Sequence, residues 1–410
     1  MANGGFVKQS LDDGTIGPMS VTKRDFTQVK NFPGTHGNEF DVVLHIADVI
    51  EGLPAPLFAL ALLTPALLVG LFQRSWWPAA ATWLFNLSDW ALLAALPRFG
   101  RSFGPAKPPT VLLSLFRLPA ALLPWPLAAV PEALGTLLVI YGFWIEPLSL
   151  GVTRQKLVSP KLAPGRPLRL LHLGDLHAEI QMTTRERRLI ELVRALSPDL
   201  FLFSGDFLNL SYLADPRALT VARTVLAELH APLGVFAVAG SPAVDLTDLV
   251  PRVLAGLDHI RLLNDEVAAV QHEGRCLEIV GLRCTHKPFV DGPRLRALLA
   301  ARQPAPPASP PFTVLLYHTP DLAPEAAEAG VDLQLSGHTH AGQVRLPGYG
   351  ALYAASLYGK SFESGRIEQD ELTLYVTRGI GMEGKGAPRV RFLAPPEIIL
   401  WELCGPAEPS

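Results

Sequence analysis

The stretch Leu53–Phe72 contains no charged residue and is flanked by Glu51 and Arg74. Its length matches that of a helix crossing the hydrocarbon core of a bilayer. Three more apolar runs follow almost without a break. Ser75–Pro97 is interrupted only by Asp89 and carries Trp76, Trp77, Trp83 and Trp90. Val111–Val130 contains Arg117 and the prolines Pro119, Pro124 and Pro126, and Ala133–Leu150 includes Tyr141, Phe143 and Trp144. Aromatic residues near the ends of such runs suit the membrane–water interface. The alternative is a buried helical domain of a soluble protein, and four near-contiguous runs weigh against it. The expectation is therefore a transmembrane helical region over 51–150 with about four spans. A polar tail over 1–50, lacking the apolar core of a signal peptide, is expected to be poorly ordered. Asp89 and Arg117 either pair inside the bundle, as charges in a membrane tend to, or snorkel to an interface.

The loop charges favour one orientation. Arg98, Arg101 and Lys107 lie between the second and third runs, and Arg154, Lys156, Lys161, Arg166 and Arg169 follow the fourth. With four spans, the excess of Lys and Arg on the inner side places both termini and the C-terminal half in the cytoplasm, at the cell (inner) membrane. An odd number of spans would move one terminus across. The net charge of −3 gives no argument for a nucleic-acid partner, and none is expected. Cys276, Cys284 and Cys404 are too few and too scattered for a disulfide framework or a zinc ribbon, and they read as packed thiols.

Residues 151–167 are rich in Pro, Lys and Gly and read as a linker. From Leu168 the texture changes to short apolar runs alternating with amphipathic segments such as Thr184–Leu196, where Leu189, Leu192 and Val193 fall at helical spacing. Ala218–Leu229 is similar. That alternation argues for a layered α/β domain over 168–405. The Pro/Ala stretch Gln303–Pro311 reads as a surface connection.

Within this half, four segments carry the chemistry: GDLH at Gly174–His177, Gly205–Asp206, His318 in LLYHTPD, and GHTH at Gly337–His340. They follow the apolar runs Leu168–Leu173, Leu200–Phe203, Val314–Tyr317 and Val331–Ser336, which read as buried strands. Carboxylates and imidazoles gathered at strand ends are the ligand mix of hard-to-borderline divalent metals. Two such ions can share a hydroxide aimed at phosphorus while neutralising the phosphate. Asp175 and His177 can converge on one ion, Asp206 is the natural bridge, and His338 and His340 can face separate ions. His172 reads as a strand histidine supporting the site, and His230, His259, His272 and His286 read as surface or loop residues. Asn209 reads as a turn or supporting residue, and Gly342 and Gln343 as shaping their loop. Arg345, Arg378 and Arg389 are candidates for a phosphate or lipid head group, against the commoner reading of solvated surface arginines.

The segments GDLH, SGD, LLYHTPD and SGHTHAGQV resemble those of the calcineurin-like metallophosphoesterase superfamily. The closer match is its membrane-anchored bacterial branch, which the tail Leu374–Leu403 also fits. The resemblance covers roughly 168–403 and implies an α/β fold, a metallophosphoesterase β-sandwich flanked by helices. It implies two divalent ions (Mn, Fe or Zn), with Asp175, His177, Asp206 and His340 on the first and Asp206, His318 and His338 on the second. One motif departs from the family's pattern of Gly-Asn-His followed by Asp or Glu. Here Gly240 is kept, but Ser241 stands in the place of Asn and Pro242 in the place of His. Proline cannot move a proton, so no general acid is expected there. Ser241 offers only a neutral hydroxyl, and Asp245 could reach the site by a different loop path.

Two readings of function follow. The first is a membrane-bound phosphoesterase that hydrolyses a phosphodiester or pyrophosphate bond of a phosphorylated small-molecule or lipid-linked substrate, with membrane lipids as neighbours. The second is a weakened or inactive relative that binds a phosphorylated ligand as sensor or scaffold. A transporter fits less well, because the membrane part is short and shows no internal repeat.

Overall fold

A strand buried on both faces must be apolar at nearly every position. Leu168–Leu173 and Leu200–Phe203 meet that condition, and the computed structural model, which describes residues 21–30, 32, 40–302 and 310–407, buries both of them between two layers. Strands β1 (Gly151–Val158), β2 (Leu168–Leu173), β3 (Leu200–Phe203), β4 (Val235–Ala237) and β5 (Ile260–Leu262) form one sheet with β14 (Glu397–Cys404), in the order β1-β14-β2-β3-β4-β5. The second sheet contains β6 (Glu266–His272), β7 (Arg275–Gly281), β8 (Phe312–Leu316), β9 (Leu333–Ser336), β12 (Gly365–Gln369) and β13 (Leu372–Val376), in the order β12-β13-β9-β8-β7-β6. Short strands β10 (Arg345–Leu346) and β11 (Gly350–Ala351) make a separate hairpin.

Period-two alternation assigns the layers. Leu170, Leu200, Leu202 and Trp401 face Ile279, Val314, Leu335 and Tyr375 of the other sheet. The intervening Leu171, Leu173, Phe201 and Phe203 pack outward against Leu189 and Val193 of helix Thr184–Leu196 and Val225 of helix Pro216–Leu226. On the far side the second sheet is covered by helices Pro288–Ala300 and Ala323–Glu328 through Leu295, Leu299 and Ala326. The result is a sandwich of two mixed sheets flanked by helices. Each fully buried leucine contributes about 1.5–3 kcal/mol to holding these layers together.

Two stretches differ from the sequence expectation. The segment read as a linker forms β1, which pairs in parallel with β14 from Gly151–Glu397 to Val158–Cys404. As an edge strand it is only partly buried and carries Thr153, Arg154, Gln155 and Lys156 in its middle, so composition makes it look like a connection. The polar tail is also more engaged than expected. Residues 1–20, 31 and 33–39 lie outside the described residues, but Val21, Phe26 and Phe32 are buried against the second sheet's helical layer. The Val21 amide donates to Gln369 Oε1 (2.7 Å), and Gln369 Nε2 donates back to the Val21 carbonyl (3.1 Å). Of the expected surface loop, residues 303–309 lie outside the described set.

The helical region holds α1 (Phe40–Glu51), α2 (Ala55–Ala61), α3 (Leu63–Gln73), α4 (Trp76–Ala95), α5 (Lys107–Arg117) and α6 (Ala129–Val139). Among the described residues, three helices are long and apolar enough to cross a membrane: Ala55–Gln73, Trp76–Phe99 and Ala129–Leu148. The third apolar run does not form a fourth. It is the short α5 followed by a 3-10 turn at Leu118–Leu122, because Pro119 and then Pro124 and Pro126 remove helix donors. Its far end still meets the end of α3, where Gln73 Nε2 donates to the carbonyls of Ala121 and Leu123. Its near end is capped by Glu51, whose carboxylate accepts from the amides of Ala106 (3.1 Å) and Lys107 (2.9 Å).

Arg117 does not snorkel. It pairs with Asp89 (2.7 Å) and also with Glu132 (2.7 Å), all three buried, and Thr136 bonds both Arg117 and Asp89. The helical bundle is also joined to the sandwich. Glu146 accepts from the amides of Leu393 and Ala394, and the Gly142 carbonyl, within a π-helical turn, accepts from the Arg391 amide (2.9 Å).

Candidate metal centre

Parallel strands present their carboxyl ends on one side of a sheet, and β2, β3 and β4 of the first sheet and β8 and β9 of the second do so together. Each chemistry-bearing segment leaves one of these ends. Gly174–His177 follows β2, Gly205–Asp206 follows β3, Ser241 lies beyond β4, His318 follows β8, and Gly337–His340 follows β9. The loops are cross-tied by main-chain bonds: Asp175 N–H to Gly205 O (2.9 Å), His177 N–H to Asp206 O (3.1 Å) and Gly337 N–H to His318 O (2.8 Å). Gly205 and Gly240 approach so closely that a side chain on Gly205 would strike the Gly240 backbone, and one on Gly240 would strike the Asp206 carboxylate.

All six residues expected to be metal ligands come together. Asp175, His177 and His340 form one buried group and Asp206, His318 and His338 another, with donor atoms inside each group within 4.8 Å of one another. The two groups adjoin at Asp206, whose Oδ2 lies 3.5 Å from His177 Nε2 and 3.3 Å from His318 Nε2. His177 Nε2 and His340 Nε2 are 3.1 Å apart. Five of the six residues hold positive φ: Asp175 (52°), His177 (41°), Asp206 (59°), His338 (71°) and His340 (49°). Such backbone costs about 1–3 kcal/mol per residue and tends to gather where geometry serves a function.

Ser241, in the broken motif, lies within the second group. Its Oγ is 3.1 Å from His318 Nε2, 3.3 Å from His338 Nδ1 and 3.4 Å from Asp206 Oδ2. Asp245 has a different place. Its carboxylate accepts from the amides of Asp206 (2.7 Å), Phe207 (3.1 Å) and Gly240 (2.7 Å), so it clamps the β3 and β4 loops and does not join either group. His172 is a buried strand residue with Nε2 3.1 Å from Ser204 Oγ. Asn209 donates to Met382 O and accepts from Ser211 N–H, supporting its turn.

Two sequence readings are overturned. His286 is a buried residue with its ring 4.7 Å from that of His338, not a surface one. Arg389 is also buried, bonded to Glu179 and Asn209 beside the first group, whereas Arg345 and Arg378 are partly exposed and paired with Glu363 and Glu397. His286 sits in no sequence motif, and Arg389 reads in the sequence only as a cationic candidate, so tertiary packing alone reveals that both are buried. Arg391, not singled out in the sequence, is fully buried and reaches His340 Nδ1 at 3.4 Å.

No family model matches the chain. Curated proteins do. A protein of Bacillus subtilis named uncharacterized metallophosphoesterase YkuE is 28% identical over 272 residues, covering 64% of this chain and 88% of that protein. An uncharacterized metallophosphoesterase of Aquifex aeolicus is 29% identical over 280 residues, covering 64% of this chain and 94% of its own length. The UDP-2,3-diacylglucosamine pyrophosphatase LpxG of Chlamydia trachomatis is 27% identical over 318 residues, covering 64% and 91%. These similarities, together with the site's geometry, support the calcineurin-like metallophosphoesterase superfamily. Members of that superfamily are hydrolases of phosphoester bonds that work with divalent metal ions.

The metallophosphoesterase site fits such ions by its own chemistry. Buried polar atoms are nearly always hydrogen-bonded, yet Asp175 Oδ2, His177 Nδ1 and His338 Nε2 are buried without a partner. His318 Nδ1 donates to the Ser204 carbonyl (2.8 Å), which leaves the Nε2 lone pair directed toward the group. The electrostatics agree. Burial lifts the Asp175 carboxyl to about 6 and lowers His338 to about 3 and His340 well below its usual value. Burial would also raise Asp206, but the imidazoles of His318, His177 and His338 hold it below the ordinary carboxylate range. His318 resists its own burial and rises to about 9 because Asp206 faces it. Divalent cations relieve both problems, since they favour ionised carboxylates and neutral imidazoles.

Asp245 yields a stability prediction. Burial, with Asp206 nearby, raises its carboxyl to about 7, so the cost of burying it is substantial and is met by three amide donors. Asp245→Ala strands those amides and is expected to destabilise the protein by about 2–5 kcal/mol, read by thermal unfolding. Asp245→Asn keeps an acceptor oxygen and is expected to lose less. Equal losses for the two would refute the clamp.

Proposed function

We propose that this chain is a membrane-bound, metal-dependent phosphoesterase that cleaves a phosphodiester or pyrophosphate bond of a lipid-linked substrate. The observation that carries the reading is a cavity of about 690 Å³ with Ser241, His338 and His340 at its polar end. Its walls include Val43, Ile46, Ala47 and Ile50 of α1 and Val111 and Leu112 of α5. A ligand matching both ends has a phosphate at one and hydrocarbon at the other. The similarity to a protein named UDP-2,3-diacylglucosamine pyrophosphatase supports an acylated substrate. Exposed Leu67, Leu68, Leu71, Phe72, Trp76 and Trp77 support a bilayer around the helices. Arg98, Arg101 and Lys107 lie where the bundle adjoins the sandwich, which favours a cytoplasmic sandwich.

In this reading Asp175, His177 and His340 would hold one ion and His318 and His338 the other. Asp206 would lie between them, and Ser241 Oγ would stand in the place of the family's Asn. Manganese, iron and zinc all suit these donors. When bound, such ions supply an activated water and neutralise charge on the phosphate. The protein's own part is positioning: Asp245 fixes the Asp206 backbone, and Ser241 N–H holds Asp206 Oδ1 at 2.7 Å. Pro242 supplies no proton to a leaving group, a loss worth about 10²–10⁴ in rate where that proton is needed. An alkoxide needs it; a phosphate leaving from a pyrophosphate does not. The broken motif therefore favours the pyrophosphate. The same Pro242 is the one observation that favours the second reading, a ligand-binding protein without turnover.

The test is hydrolysis by the full-length protein in mixed micelles, supplied with manganese, of a diacylated sugar-nucleotide pyrophosphate and of the same head group without acyl chains. The acylated compound is expected to show kcat/KM higher by about 10²-fold, since even partial burial of an acyl chain in the cavity is worth several kcal/mol. Equal rates would remove the lipid from the proposal. Binding of the acylated compound without turnover would leave the sensor reading.

A further inference from the structure

We propose that His286 is an additional ligand of the second metal ion, supplying the donor that the broken Gly240–Ser241–Pro242 motif lacks. This rests on the reading that the Asp206, His318 and His338 group holds an ion. His286 lies in the connection from β7 to helix Pro288–Ala300, far from every metal-site motif in the sequence. Three observations bring it to the site. Its ring is 4.7 Å from that of His338 and 6.2 Å from that of His318, and those two rings are 5.1 Å apart. Imidazoles bound to one ion through bonds of roughly 2.1 Å have ring centres roughly 4.5–6.5 Å apart, depending on the angle between them. All three separations fall in that range.

The second observation is an unmet polar atom. His286 is buried, and its Nε2 has no hydrogen-bond partner. The third is backbone strain. His286 holds φ at 61°, and His177, His338 and His340 are the other histidines with positive φ among the described residues. Packing alone does not require a histidine in a costly left-handed conformation beside two other imidazoles.

The position is anchored from the neighbouring residue. The Thr285 amide and hydroxyl each bond Asp291 at 2.9 Å, so the chain enters His286 from a fixed point. The His286 nitrogens lie outside the tight set that Asp206, His318 and His338 form within 4.8 Å. A side-chain rotation toward that set completes the shell when an ion binds. Ser241 Oγ is a weak neutral donor, and an added imidazole would give the second ion a third nitrogen ligand.

The experiment measures metal content, with no substrate present. Full-length wild type, His286→Ala, His286→Gln and, as control, His230→Ala at an exposed histidine are purified in detergent, stripped and titrated with manganese. Bound ions are counted by elemental analysis, and exchange coupling between them is read by electron paramagnetic resonance. Wild type and His230→Ala are expected to hold two coupled ions. His286→Ala is expected to keep one ion tightly and bind the second about 10–100-fold more weakly, with the coupled signal lost. His286→Gln, which retains a carbonyl donor, is expected to recover part of the affinity. Two ions at unchanged affinity in His286→Ala would overturn this inference and leave the metal centre standing. No second ion in the wild type would overturn both. If the stripped His286 variants unfold well below stripped wild type, the residue serves packing and the proposal fails.

Discussion

Asp206→Asn is expected to lower kcat/KM by on the order of 10³-fold or more while leaving the fold intact. The substitution is nearly isosteric, and the amide oxygen can still accept from Ser241 N–H as Oδ1 does now at 2.7 Å. What disappears is one negative charge at the carboxylate that adjoins both groups, 3.5 Å from His177 Nε2 and 3.3 Å from His318 Nε2. On the proposed two-ion reading, a neutral amide there would leave two dications facing each other with no anion between them. The expected signature is paired: activity falls and bound metal drops below two equivalents, with little change in the unfolding temperature of the stripped protein. Full metal content together with unaltered activity would show that Asp206 does not bridge the centre.

The second large effect lies in the helical bundle. Arg117→Ala is expected to destabilise the protein by about 3–5 kcal/mol in detergent, because it leaves the Asp89 and Glu132 carboxylates buried without their cation. It would also remove the donor to the Glu132 carbonyl and one partner of Thr136. Replacing all three charges together by apolar residues of similar volume is expected to be close to neutral, since the desolvation cost vanishes with the charges. Thermal unfolding of the single and triple variants separates the two cases. If Arg117→Ala unfolds at the wild-type temperature, the triad contributes only geometry and not stability.

Much of this protein is legible in its amino-acid order. The apolar runs mark the helical region, and the strands Leu168–Leu173 and Leu200–Phe203 have the ends that their sequence implies. The six Asp and His positions are legible too, because three of the four motifs join a strand end to a glycine and a donor, and the fourth places His318 directly after an apolar run, a local pattern. Local pattern fails where a residue's role is set by a distant partner. Gly151–Val158 looks like a linker because an edge strand gains its place by pairing with β14, at the far end of the sandwich domain's sequence. His286 has no neighbours in sequence that mark it, and nothing local shows that Arg389 and Arg391 are buried.

The order of apolar and polar residues by itself determined the class of fold and the helical region before it, and the motifs marked six Asp and His positions that the structure brings together, because period and spacing act within a few residues. Only the tertiary structure decided that Arg117 holds two carboxylates, that Asp245 clamps two loops through three amides, and that the centre opens into an apolar cavity beside α1 and α5. Each of these depends on charges and surfaces far apart in the chain meeting out of water, where an unpaired charge or amide costs several kcal/mol. That cost, invisible in any short window of sequence, selects the partners.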